Sequence, residues 1–210
     1  MWAQVKNGQV IKIFNGAQAF KIGEWQYGSD VFSKWSKSEL AEIGIYSVQQ
    51  DRTNYKNTEY YKNTEHTYTV DDTNKVVKMT WGKASGHSLV DVEIKDKDGK
   101  NILDADGNKV IDEGLKTVKK KQINDEAYDI LNETDWYVIK ASEVSDYTLP
   151  TNIAKFRAAV RTKCNAMQTQ IDNAGDVDAL KTLYEYTNTG TEENPDMTRP
   201  LGEFPKLEDF

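Results

Sequence analysis

Apolar and polar residues alternate in short runs over the first third of the chain. From Trp2 to Phe14, WAQVK and QVIKIF flank Asn7-Gly8, and an Asn-Gly pair between alternating runs predicts a β-hairpin. Gly16, Gly23 and Gly28 then punctuate a stretch around Trp25 and Tyr27 that predicts no regular element. In SKSELAEI, Ser36 stands at an N-cap position and Glu39 completes a capping box, so a short helix is expected, stopped by Gly44. IYSV follows as an extended segment. YKNTE occurs at Tyr55–Glu59 and again at Tyr61–Glu65; that offset fits neither a heptad nor a known repeat and predicts a tyrosine-rich loop or edge strand. HTYTV and KVVKMTW predict two strands around Asp71–Asn74, closing near Trp81. SLVDVEI and KDKDGKNILDADGNKVID predict further hairpins, with turns at Asp98-Gly99 and Asp106-Gly107.

Beyond Gly114 the period lengthens. Leu115, Val118, Ile123, Tyr128 and Leu131 fall near one face of a helix. Pro150 and Thr151 open a second helix whose apolar positions, Ile153, Phe156, Val160, Cys164, Met167 and Ile171, form one narrow stripe. Asn173-Ala174-Gly175 ends it, and Asp176 caps a short third helix through Leu180 and Leu183. The remainder is polar, acidic and contains proline, and is expected to be extended or disordered. The expected class is α+β, with antiparallel hairpins in a strand-rich N-terminal half and a helical C-terminal module. The expected divisions are a β-rich domain over 1–113, a helical module over 114–187 and an extended tail over 188–210.

Composition narrows the function. A net charge of −7 argues against a nucleic-acid partner, because binding a polyanion requires a basic surface. The one dense basic run, Lys116 to Lys121, reads as the solvated start of a helix. No run has the apolar length of a membrane span, so no membrane partner is expected, and the N-terminus lacks the shape of a signal peptide. Synthesis and folding in a cytoplasm are expected.

Catalytic apparatus is sparse. His66 and His87 have no His or Cys partner at ligand spacing, and Cys164 lies on an apolar stripe, where a cysteine acts as a small hydrophobe. Asp96 to Glu113 looks like a calcium loop, yet no register puts Gly sixth and Glu twelfth as an EF-hand needs; Asp104, Asp106 and Asp112 are left as a loose surface alternative. No cofactor, no metal and no enzymatic activity are expected. Tyr55, Tyr60, Tyr61 and Tyr68 offer a sugar-stacking platform, against a cross-strand tyrosine ladder as the plainer account.

One arrangement carries a resemblance. Leu131, Thr134, Asp135 and Trp136 are followed by Pro150 and then by Phe156, Arg157, Val160 and Arg161. In that order they resemble bacteriophage tail proteins of the tail assembly chaperone, or tail fibre assembly, type. RPLGEFPKLEDF from Arg199 is similar to the proline-aromatic tail in which such proteins finish. The hairpin Val5-x-x-Gly8-x-Val10 and the unit from Leu40 to Val48 also look phage-like. The hairpins from Asp91 to Glu113 have no counterpart in that pattern, and the helix runs well past Arg161.

The resemblance implies a non-catalytic, tail-associated structural protein acting by protein–protein binding. It would be made in the host cytoplasm and retained in the virion tail or fibre-attachment region, and it leaves a cytoplasmic fibre-assembly chaperone as the alternative. A carbohydrate-binding adhesin module is the third reading. The implied partners are other tail, baseplate or fibre proteins, with a homo-oligomer also open. Trp136, Tyr137, Arg157 and Arg161 are the candidate partner-binding residues in the module, with Phe204 and Phe210 in the tail. Asp135 and Glu133 could instead pair with the arginines internally.

Overall fold

Asn7 and Gly8 both adopt positive φ (53° and 73°), and the hairpin they close joins β1 (Trp2–Lys6) to β2 (Gln9–Phe14). In the computed structural model, which describes residues 1–210, the ladder shifts register between Gln4 and Val5. Gln4 faces Lys12 and Val5 faces Val10, so Ile11 is an exposed bulge, and Val10 and Ile13 can both join the core. The stretch expected to be irregular forms a second small hairpin, β3 (Phe20–Ile22) with β4 (Trp25–Tyr27), tightened by Phe20 stacked on Tyr27 at 5.1 Å.

A short α1 (Val31–Lys34) leads to α2 (Lys37–Glu42), where Ser36 and Glu39 form the expected capping box. Gly44 then turns the chain at φ 77° into β5 (Ile45–Asp51). The pair β6 (Tyr61–Lys62) and β9 (Ser85–Gly86) closes the tyrosine-rich loop, while β7 (His66–Asp71) and β8 (Val76–Trp81) form the expected hairpin. The main sheet runs β2-β1-β5-β8-β7, and β5 pairs with β8 in parallel. That parallel pair was not expected from hairpins alone. One sheet face buries Ala3, Tyr46 and Val77; Phe14, Phe20, Leu40 and Ile45 form a second core.

The chain divides into Met1–Gly86 and His87–Phe210, rather than after residue 113. The reason is hydrogen bonding to α3 (Leu115–Asn132). Leu115 and Lys116 N–H donate to the carbonyls of Ser88 and Leu89, and Gly114 N–H donates to the Asp91 carboxylate at 2.7 Å. The segment that carries β10 (Val92–Glu93) and β11 (Ile111–Asp112) thereby satisfies the first donors of the helix. Its buried positions are Leu115, Lys119, Ile123 and Ala127, whereas Tyr128, expected inside, is 66% exposed. The Lys116–Lys121 run is not simply solvated. Lys116 and Lys120 bond the carbonyl and carboxylate of Asp172, and buried Lys119 lies over the Tyr184 ring.

A helix not foreseen, α4 (Asp135–Glu143), follows; it buries no residue, so it carries no apolar stripe to read. In α5 (Thr151–Asn173) the whole expected stripe from Ile153 to Ile171 is buried. Asp176 caps α6 (Val177–Thr182) through Ala179 N–H. The tail is neither extended nor separate. β12 (Thr187–Asn188) pairs with β13 (Met197–Thr198), Leu201 is fully buried, Phe204 is 9% exposed, and a 3₁₀ turn at Leu207–Asp209 ends the chain. Lys163 Nζ donates to Leu201 O and Leu201 N–H donates to Leu183 O, so this segment joins the helical core. No helix is long and apolar enough to cross a membrane.

A Cβ on Gly44 would sit 2.8 Å from Val5 O in the left-handed region, whereas one on Gly16 meets nothing. Gly44→Ala should therefore lower stability by about 1–2 kcal/mol in chemical denaturation. Gly16→Ala should be close to neutral.

Candidate docking surfaces

Arg157 is 7% exposed, and both terminal nitrogens of its guanidinium are engaged within the chain. Nη1 donates to Leu131 O and Thr134 Oγ1, and Nη2 to Asp135 Oδ1, each at 2.6 Å. Leu131 O belongs to the last turn of α3, where carbonyls lack helical partners and the dipole favours a cation. Asp135 sits in the first turn of α4, where an anion is favoured. One guanidinium thus joins the end of one helix to the start of the next. The internal pairing with Asp135 is the arrangement adopted; Glu133 takes no part in it. Arg161 is exposed and donates only to Arg157 O, at 3.4 Å.

Trp136 and Tyr137 do not clamp the two helices together. Trp136 is 56% exposed, and its ring lies 6.2 Å from that of half-buried Tyr137. Phe204 is in the core and Phe210 rests edge-on against Phe156 at 5.9 Å. Among the residues singled out from sequence, Arg157 and Phe204 are structural, and Trp136 faces outward.

A second surface was missed. Ile94 N–H donates to Val110 O, Val110 N–H to Ile102 O, and Ile102 N–H to Ile94 O, all at 2.9 Å. The three residues close a circuit, with a corner between each pair. Two corners are the Asp-Gly turns: Asp96 Oδ1 accepts from Asp98 and Lys100 N–H, and Asp104 Oδ1 accepts from Asp106 and Asn108 N–H. The third corner is the β10–β11 pair. No residue from Ser88 to Glu113 is buried, and Val90, Val92, Ile94, Ile102, Leu103 and Ile111 are exposed. The sequence signal is an eight-residue spacing: Ile94, Ile102 and Val110, each followed two positions later by an aspartate, with Gly99 and Gly107 in step. Asp96 and Asp104 each commit Oδ1 to backbone amides, so Asp104 of the calcium-like acids is a turn former; no group of three or more His, Cys, Asp or Glu is placed to hold a metal.

The tyrosine platform is not assembled as a row. Tyr60 and Tyr61 are buried, and Tyr55 meets Trp81 at 64° while His66 meets Tyr68 at 87°. A cleft of about 770 Å³ lies between outer strands β2 and β7. It is lined by Val10, Lys12, Ile13 and Tyr68 and holds no acid–base pair. Cys164 is buried, with its Sγ near Asn124 and Gln168. Comparison with protein-family models, curated proteins and solved structures finds no match to this chain.

Arg157→Ala would remove three short charge-assisted hydrogen bonds and leave the Asp135 carboxylate without its cation, and should cost about 2–4 kcal/mol in chemical denaturation. Lysine cannot reproduce the fork, so Arg157→Lys should recover little of that loss. Trp136→Ala should cost less than about 1 kcal/mol, since it removes an exposed ring and its contacts with Lys140 and Tyr137.

Backbone donation from Asn108, helped by Asp106 and Gly107, holds the Asp104 carboxyl below its ordinary range; donation from Gly114 does the same for Asp91. A depressed carboxylate contributes stability above its unfolded value and loses it as pH falls through the folded value. A fall in pH through those folded values should therefore loosen the Asp104 turn and the Asp91–Gly114 attachment. In an NMR titration, the Asp106, Asn108 and Gly114 amides should shift with midpoints below that of a free aspartate.

Proposed function

We propose that this chain is a non-catalytic, bacteriophage tail-associated structural protein that works by protein–protein contact. The observation that carries the reading is the Val90–Ile111 ring. Its shape is fixed by backbone and aspartate hydrogen bonds, yet it buries no side chain and turns six large aliphatic residues outward. An element of this kind gains nothing from the free chain's own core, and exposed apolar clusters on an ordered frame mark surfaces completed by a partner. The order of motifs from Leu131 to Arg161 and the resemblance it carries direct the reading to tail, baseplate or fibre proteins as partners.

Retention in the tail or fibre-attachment region is favoured because the ring lies outside the resembling pattern and adds surface to it. A cytoplasmic fibre-assembly chaperone would use the same surfaces and differ only in leaving the finished particle. The buried Tyr60 and Tyr61 weigh against a carbohydrate-binding module. With Arg157 and Phe204 internal, the binding role moves from them to the outward residues Ile94, Ile102, Leu103 and Trp136.

Mass spectrometry of purified virions should find the protein in stoichiometric amount. An Ile102→Asp/Leu103→Asp variant should keep the thermal melt and be absent from particles. A wild-type chain required for fibre attachment yet missing from virions would select the chaperone reading. Unimpaired incorporation of the folded double variant would remove the ring from the account.

A further inference from the structure

Trp136, Ile139 and Glu143 recur at helical spacing on the outward side of α4, and exposed Val144 follows at its end. Lys140 Nζ lies 4.9 Å from the ring centre of Trp136 and 4.4 Å from that of Tyr147. The single cation of the Glu133–Tyr147 segment is therefore held between two rings. The same segment carries Glu133, Asp135, Glu143 and Asp146. Asp135 is satisfied by Arg157, whereas Glu133, Glu143 and Asp146 are exposed and have no partner in the chain. The result is an apolar centre with an uncompensated acidic rim.

We propose that this face docks a basic segment of a different protein. The segment would seat a large apolar side chain on Trp136 and Ile139 and set arginine or lysine against Glu133, Glu143 and Asp146. The inference rests on the assembly reading above and adds the chemistry of one partner to it. Charge complementarity selects the occupant. A second copy of the chain is a poor one, because the net charge is −7 and three of the four lysines in its densest basic run are engaged internally. Lys116 and Lys120 are bound to Asp172, and Lys119 is buried. Arginine suits the site better than lysine, since its planar group can both fork a carboxylate and stack on the Trp136 ring.

The test is NMR titration of the full-length ¹⁵N-labelled chain with three synthetic amphipathic peptides. All share one leucine face, and the opposite face is arginine, glutamate or serine. The arginine peptide should shift amides within Glu133–Tyr147, and its affinity should fall as ionic strength rises. The glutamate peptide should leave those amides unmoved, and the serine peptide should bind more weakly than the arginine one. Trp136→Ala, and separately Glu143→Lys/Asp146→Lys, should each weaken the arginine peptide by about tenfold or more with the thermal melt unchanged.

Equal binding of all three peptides, shifts elsewhere only, or no binding would overturn the proposal. So would α4 shifts that depend on protein concentration without peptide, which would assign the face to a second copy. If the titration fails while the ring variant is still excluded from virions, this inference falls and the assembly reading stands. If the titration succeeds and the ring variant is incorporated, this inference stands and the ring alone leaves the account.

Discussion

A guanidinium buried at the junction of two helices fixes the geometry on which the C-terminal unit depends. Arg157 holds the final turn of α3 through Leu131 O and the first turn of α4 through Asp135, with Thr134 between them. Its favourable terms are short charge-assisted hydrogen bonds and two helix-end dipoles, set against the cost of removing a cation from water. The junction lets α4 hold its place while burying none of its own residues. Trp136, Ile139 and Val144 are left on the outside.

The ring from Val90 to Ile111 follows the same principle by other means. A circuit of backbone hydrogen bonds and two aspartate-bonded turns replaces a hydrophobic core, and the aliphatic side chains remain outward. It is attached through the N–H groups at the start of α3, which donate to Ser88 O, Leu89 O and the Asp91 carboxylate. Both surfaces arise where polar bonding does the folding work that burial does elsewhere. In α5, by contrast, every residue of the apolar stripe is committed to the interior. The tail is committed there too, through Leu201 and Phe204.

Sequence patterning was most legible where local chemistry decides structure. Asn7-Gly8, the Ser36–Glu39 capping box, the β7–β8 alternation and the Ile153–Ile171 stripe each carry a signal that tertiary context does not reverse. Three features depended on contacts distant in sequence. The parallel pairing of β5 with β8 has no local signature. The tail looked coreless because its two anchors, Leu201 and Phe204, are separated by polar and glycine residues, and their seat is supplied by α5 and the Leu183 region. α4 escaped detection because apolar periodicity reports a buried face, and this helix has none. At the candidate site, Arg157 was found and its role was reversed, since the order of residues does not reveal whether a guanidinium points inward. The ring was visible as Asp-Gly turns, but its eight-residue spacing matters only once Ile94, Ile102 and Val110 are seen to close on one another.

The central claim is that the outward aliphatic and aromatic residues of the ring and of α4 are covered in an assembly. Hydroxyl-radical footprinting compares this directly between the isolated chain and the phage particle that the proposed function implies. Leu103, Ile102 and Trp136 should be oxidised readily in the free protein and protected in the particle, while Met167, buried in both, should change in neither. Equal oxidation of Leu103, Ile102 and Trp136 in the two samples would contradict the account.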